Sequence, residues 1–217
     1  KLGAGGSSEV WAAYHVGLER EVALKLLEPS LEHRADEQRR FLREVRATTR
    51  LTHPNTIRLY DYGVTEEGVL FYAMELLEGE NLGQLVARAG PIPPARAVHL
   101  VRQAARSLAE AHSRKLVHRD VKPENVFLCE AGLEHDFVKL LDFGIATQHV
   151  DDGGAAEGDE VVGTPMAMAP EVIRGLRATA ATDVYGMGVV LYYLLTGSYP
   201  FREGNSSAIL AAHVSTP

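Results

Sequence analysis

The chain has 217 residues, of which 46% are hydrophobic and 24% charged, with 20 glycines and 10 prolines; this is the profile of a folded globular protein able to bury a sizeable core, not of a disordered or collagenous chain. A formal net charge of -7 without a basic stripe sets aside nucleic acid and anionic membrane surfaces as main partners, because both need clustered Lys and Arg. The single cysteine, Cys129, has no partner for an internal disulfide, so a reducing, cytoplasmic setting is the expectation.

The first element is a glycine-rich turn, Gly3-Ala4-Gly5-Gly6-Ser7-Ser8, feeding a strand predicted over residues 10–15. Glycines there let backbone N–H groups approach phosphate oxygens with no Cβ in the way, although plain hairpins use the same device. The turn lacks the Gly-Lys-Ser/Thr ending of a P-loop, and it runs into a strand where a dinucleotide-binding loop would run into a helix. Further β-rich runs fall at residues 22–27, 58–64 and 69–75. Between them Phe41, Leu42, Val45 and Ala47 predict a helix over 36–51, ended by His53-Pro54-Asn55. At Glu78-Gly79-Glu80-Asn81 the character changes, and these residues suit a short connection. Beyond it Ala97, Leu100, Val101, Ala104, Ala105, Leu108 and Ala111 recur at helical spacing, and residues 184–196 are apolar nearly all round. The longest apolar stretch, 184–195, is shorter than the roughly 20 residues that cross a bilayer, so it reads as a buried helix. A strand-rich front and a helix-rich back predict an α+β fold of two lobes, residues 1–77 and 78–217, with a hinge between them. No basic segment followed by an apolar one opens the chain, which excludes a signal peptide from the expectation.

Lys25 stands alone on the apolar strand Val22-Ala23-Leu24-Lys25, and Glu44 sits on the helix that follows. Taken singly, both read as solvated surface charges. The specific signal is His118-Arg119-Asp120-Val121-Lys122-Pro123-Glu124-Asn125, followed after a strand, hairpin and strand by Asp142-Phe143-Gly144. With these residues the sequence resembles the protein kinase family, specifically the serine/threonine type found in eukaryotes and, as eukaryotic-like kinases, in bacteria. The resemblance spans nearly the whole chain and implies the bilobal kinase-like fold, a small antiparallel sheet lobe with one helix beside a mainly helical lobe.

That resemblance implies ATP and Mg²⁺ as cofactors and the Ser/Thr hydroxyls of proteins as acceptors. Gly3, Gly5 and Gly6 would cover the phosphates, and Lys25 would hold the α- and β-phosphates while paired to Glu44. Asp120 would orient the acceptor hydroxyl and take its proton, Lys122 would sit on the transferring group, and Asn125 and Asp142 would ligate Mg²⁺, a cation that prefers hard oxygen donors. Met74 would stand at the gatekeeper position, with Glu75 and Leu77 offering backbone groups to adenine and with Val10, Ala23 and Phe127 sandwiching the ring; side chains of these types are also ordinary core residues. Asp183 resembles the buried aspartate that braces the catalytic loop. Gly163-Thr164-Pro165 before Ala169-Pro170-Glu171 resembles a peptide-docking segment, which with Lys122 marks the serine/threonine group. A pseudokinase scaffold is the competing reading, and a small-molecule phosphotransferase a third.

Several positions depart from the pattern. Ser8 replaces the third glycine of the loop, Thr48 stands where a larger apolar residue usually packs on Phe143, and Ala167 replaces a common tyrosine. Arg119 beside Asp120 is typical of kinases whose activation segment is ordered by a phosphate on that arginine. Nothing phosphorylatable lies between Thr147 and Thr164, whereas Asp151, Asp152, Glu157, Asp159 and Glu160 do, so these carboxylates are candidates to pair with Arg119. A solvated acidic loop is the plainer reading, and autophosphorylation at Thr147 or Thr164, through self-association, is the third. Against the family the chain looks cut at both ends. Glu171 is then expected to lack its arginine partner, and part of the helix at 184–195 to be uncovered, leaving a marginally stable polypeptide.

Overall fold

Residues 1–5, 8–28, 34–131, 134–143, 164–202 and 204–216 are described by the computed structural model of the chain. Short β-rich runs build the front as an antiparallel sheet: β1 (Gly3–Gly5), β2 (Ser8–His15), β3 (Arg20–Leu27), β4 (Leu59–Val64) and β5 (Leu70–Glu75), in the order β1-β2-β3-β5-β4. Four of these strands match the expected runs, and β1 is an addition. Helix α1 (Arg34–Thr48) lies between β3 and β4 in the chain and buries Phe41 and Val45 against Ala23, Leu27, Ile57, Leu70, Tyr72 and Met74. This cluster is the front core.

The expected connection at 78–81 is partly a strand. β6 (Gly79–Asn81) pairs with β7 (Val126–Ala131), which pairs with β8 (Glu134–Leu140). Gly79 has φ +144°, and a Cβ there would lie 2.1 Å from the Leu128 carbonyl oxygen, so the close strand approach admits only glycine. Helix α2 (Leu82–Ala89) starts on a capping box in which the Asn81 side chain accepts from the Gln84 N–H and the Gln84 side chain accepts from the Asn81 N–H. Helices α3 (Pro94–Ser113), α4 (Pro170–Ile173), α5 (Ala180–Thr196) and α6 (Ser206–Ser215) complete the back. Leu100, Ala104 and Leu108 of α3 and Val190 and Leu194 of α5 join Val126, Leu140 and Phe143 in the second core.

The segment that follows α1, at residues 55–57, is bolted to this second core. Ile57 N–H donates to the Leu140 carbonyl at 3.0 Å, and the Leu140 N–H donates to Asn55 O at 2.7 Å. Asn55 Nδ2 donates to Val138 O at 2.6 Å, and the buried Thr56 and Ser107 hydroxyls lie 2.6 Å apart. Buried polar groups so completely paired fix one register between the two cores, and through it the height of α1 over the catalytic loop.

Among the described residues no helix is long and apolar enough to cross a membrane. On α5, Val184, Tyr192 and Leu195 are exposed. The acidic net charge hides a local exception to the absence of a basic stripe: Arg39, Arg43 and Arg46 on α1 and Arg50 just past its end are all exposed.

Helix α6 carries a buried histidine. His213 Nδ1 is hydrogen-bonded to the Tyr185 hydroxyl at 2.5 Å, and its ring meets Phe201 edge-on with centroids 4.8 Å apart. Burial pushes its pKa below the ordinary 6.5, outweighing the carbonyls of Met166 and Pro165, which favour the protonated ring. The unfolded chain therefore binds this proton more readily than the folded one, and stability falls as pH drops below 6.5. Thermal melts between neutral and mildly acid pH are expected to show a falling melting temperature, and His213→Gln is expected to flatten that slope.

Candidate active site

The loop that bears Asp120 is held by its backbone. Asp183 of α5 is buried; one of its oxygens, Oδ2, accepts from His118 N–H at 2.8 Å and lies 2.6 Å from His112 Nε2, while Oδ1 accepts from Arg119 N–H at 2.8 Å. Arg119 has φ +69°, a left-handed conformation that costs a non-glycine residue energy and needs such bracing. His118 is fully buried: Nε2 donates to the Leu141 carbonyl at 2.7 Å, and Nδ1 accepts from Asp120 N–H at 3.3 Å. Its ring lies 4.6 Å from that of Phe143. The motif histidine thus ties the loop bearing Asp120 to the segment bearing Asp142.

Around Asp120 the expected residues converge. Lys122 Nζ lies 2.8 Å from Asp120 Oδ2 and donates to the Thr164 hydroxyl at 2.9 Å, which links the Asp120 carboxylate to the turn at Pro165–Ala167. Asn125 Nδ2 donates to Asp120 O at 2.7 Å and to Asp120 Oδ2 at 2.8 Å. With its amide nitrogen so engaged, Asn125 has its oxygen to offer a cation.

Asp142 has φ +52° and is gripped at both oxygens: Lys25 Nζ is 2.6 Å from Oδ2, and the Tyr72 hydroxyl donates to Oδ1 at 2.5 Å. Burial would push this carboxyl up; the Lys25 charge and the hydrogen bonds from Lys25 and Tyr72 outweigh it and hold the group below the ordinary carboxylate range. Burial, followed by the Asp142 charge, pushes the Tyr72 phenol far above its ordinary value, so it stays a neutral donor.

One expected contact is corrected. Lys25 pairs with Asp142 and not with Glu44, whose Oε1 accepts from Arg119 Nη1 at 3.0 Å. Arg119 is pinned beneath α1 by the Asp183-held backbone, so its guanidinium competes with Lys25 for the same carboxylate. Among the described residues the carboxylate that reaches Arg119 is that of Glu44; residues 144–163, with the acidic positions, Thr147 and Gly163, lie outside the described residues. Glu171 Oε1 accepts from the Thr182 hydroxyl at 2.7 Å.

For the adenine side, Ala23 and Met74 are buried cross-strand partners, and Val10 packs on the same cluster opposite Lys25. Phe127 is half-buried on β7. Glu75 donates its N–H to Arg58 O at 3.0 Å, while its carboxylate takes Lys139 at 2.7 Å and Arg58 N–H at 2.8 Å; Leu77 follows on the linker. Gly3 and Gly5 lie on β1, and Gly6 is outside the described residues. Thr48 is buried and turns its hydroxyl back to the Glu44 carbonyl at 3.0 Å. Tyr72 and His112, which touch Asp142 and Asp183, are not part of the motifs in the sequence. The only signal for Tyr72 is its register, directly opposite Lys25.

A profile described as the protein kinase domain matches residues 1–216. The chain belongs to the protein kinase family. It is 40% identical over 98% of its length to serine/threonine-protein kinase pkn3 of Myxococcus xanthus, and 39% identical over its full length to serine/threonine-protein kinase PknD of Mycobacterium tuberculosis. It is also 36% identical over 98% of its length to serine/threonine-protein kinase PrkC of Bacillus subtilis. The kinase chain covers 40%, 32% and 32% of those three relatives, respectively, so it spans about a third to two-fifths of their length.

The donor set fits the family's nucleotide and metal. Asp142 and Asn125 supply a carboxylate and an amide oxygen, the hard donors Mg²⁺ prefers, and Lys25 stands beside Asp142 as the matching cation for phosphate oxygens.

Proposed function

We propose that the chain is the catalytic domain of a serine/threonine protein kinase, with lobes at residues 1–77 and 78–217, that transfers the γ-phosphoryl group of ATP to Ser or Thr hydroxyls of proteins. The arrangement of Asp120 between Lys122 and Asn125, facing the Thr164 turn, carries this reading. Bound Mg²⁺ would neutralise phosphate charge, held by Asp142 and Asn125. The acceptor hydroxyl hydrogen-bonds to Asp120, its oxygen bonds to phosphorus as the bond to the β–γ bridging oxygen breaks, and its proton passes to Asp120. Lys122 offsets the growing negative charge, and Lys25 steadies the α- and β-phosphates. Met74, Glu75 and Leu77, with Val10, Ala23 and Phe127, receive the base, and Gly3, Gly5 and Gly6 cover the phosphates.

The pairing of Glu44 with Arg119 is read as a resting arrangement: whatever draws Arg119 away, whether a phosphate or an acidic residue of 151–160, releases Glu44 toward Lys25. The same swap also favours the scaffold reading, because the phosphate-binding lysine lacks its usual partner. Incubation with ATP and Mg²⁺, alone and with a basic generic protein, separates the two: the kinase reading expects label on both, and the scaffold reading expects bound nucleotide without transfer.

A further inference from the structure

Tyr72 is paired directly with Lys25 across β3 and β5, and directly opposite residues of an antiparallel pair project to one face. The two side chains meet at Asp142, Lys25 taking Oδ2 and Tyr72 taking Oδ1, while the Lys25 ammonium lies 5.9 Å from the Tyr72 ring centroid. Tyr72 is 1% exposed, and its ring lies 6.4 Å from that of Phe41 on α1. The ring sits in the apolar front core, so phenylalanine would fill the site, and a buried hydroxyl without a partner costs energy. The hydroxyl has a partner, and it is the carboxylate of the glycine-adjacent motif.

We propose that Tyr72 is a positioning residue for the metal-binding carboxylate: its hydroxyl fixes the rotation of Asp142 without Glu44, which is engaged by Arg119. This rests on the reading of Asp142 as the metal ligand. A tyrosine has two torsions, and here its ring is locked in a core, whereas a lysine has four and is held at its tip alone. Fixing Oδ1 from the sheet therefore orders the carboxylate more than Lys25 does. The donor is neutral, so it orients the carboxylate without cancelling the charge that attracts a divalent cation. An ionised carboxylate has about four lone-pair sites on its two oxygens, so two protein donors leave sites for a cation. In a chain whose Lys25–Glu44 pair is open, this bond takes over part of the ordering that the pair would supply.

The test uses Tyr72→Phe in the full chain, titrating Mg²⁺ in the presence of ADP and reading binding heat or nucleotide fluorescence, with ADP affinity in EDTA as the reference. The half-saturating Mg²⁺ concentration is expected to rise about tenfold, the size expected for losing one hydrogen bond to a charged group. ADP affinity without metal is expected to stay within twofold. A midpoint within twofold of wild type, or below it, overturns the proposal, as does an equal loss of ADP affinity in EDTA, which marks a packing effect. Asp142→Asn separates the two claims. If it raises the midpoint and Tyr72→Phe does not, the Tyr72 role fails alone; if it leaves the midpoint unchanged, the assignment of Asp142 falls and the Tyr72 role with it.

Discussion

Asp120→Asn is expected to lower phosphoryl transfer by about 10²- to 10⁴-fold, the contribution of a positioned general base, while ATP affinity stays within twofold. Asparagine preserves the shape of the side chain but removes the proton acceptor; Lys122 and Asn125 Nδ2 both donate to Oδ2, so the amide oxygen keeps both donors there and the amide nitrogen takes the place of Oδ1. The neighbours of Asp120 are loop residues and the docking turn, none of them on the nucleotide-facing strands, so nucleotide binding has no reason to change. Initial rates at saturating ATP, set beside equilibrium nucleotide binding, separate the two effects. A parallel loss of both would mean that the substitution unfolds the loop.

Asp183→Ala is expected to destabilise the fold by about 3–5 kcal/mol, the cost of breaking a buried charged network from one side. The carboxylate is 1% exposed and accepts from two backbone N–H groups, and alanine leaves both without an acceptor in a site that water does not reach. It also removes the brace on Arg119, whose φ of +69° is then unsupported. Denaturant midpoints at unchanged slope measure the loss, and Asp183→Asn, which retains one acceptor, is expected to lose less.

Much of the site is legible because it is local. Asp120, Lys122 and Asn125 lie within six positions, and one loop with a 3-10 turn at Pro123–Asn125 brings them together whatever the rest of the chain does. The strands of the front sheet are readable for the same reason, since β2, β3 and β5 are runs rich in aromatic and aliphatic residues between turn residues. What was not legible depends on a choice between distant partners. Residue types show that Glu44 is anionic and that Lys25 and Arg119 are cationic; they do not show which cation wins. The outcome depends on how α1 seats on the Asn55–Ile57 anchor and on the rotation of Arg119 under Asp183, both long-range. Tyr72 was invisible for a different reason: a tyrosine inside an apolar strand reads as core, and only the register against Lys25 reveals where its hydroxyl goes. Elements α2 and α6 and the strand β6 went unread because they are short, with three to ten residues and little periodicity.

The most direct test of the account is transfer of labelled γ-phosphate from ATP with Mg²⁺ to a basic generic protein, followed by identification of the labelled residue. Label on serine or threonine, absent with Asp120→Asn, is the predicted result. Stoichiometric nucleotide binding with no transferred label, or label only on side chains other than serine and threonine, would contradict it.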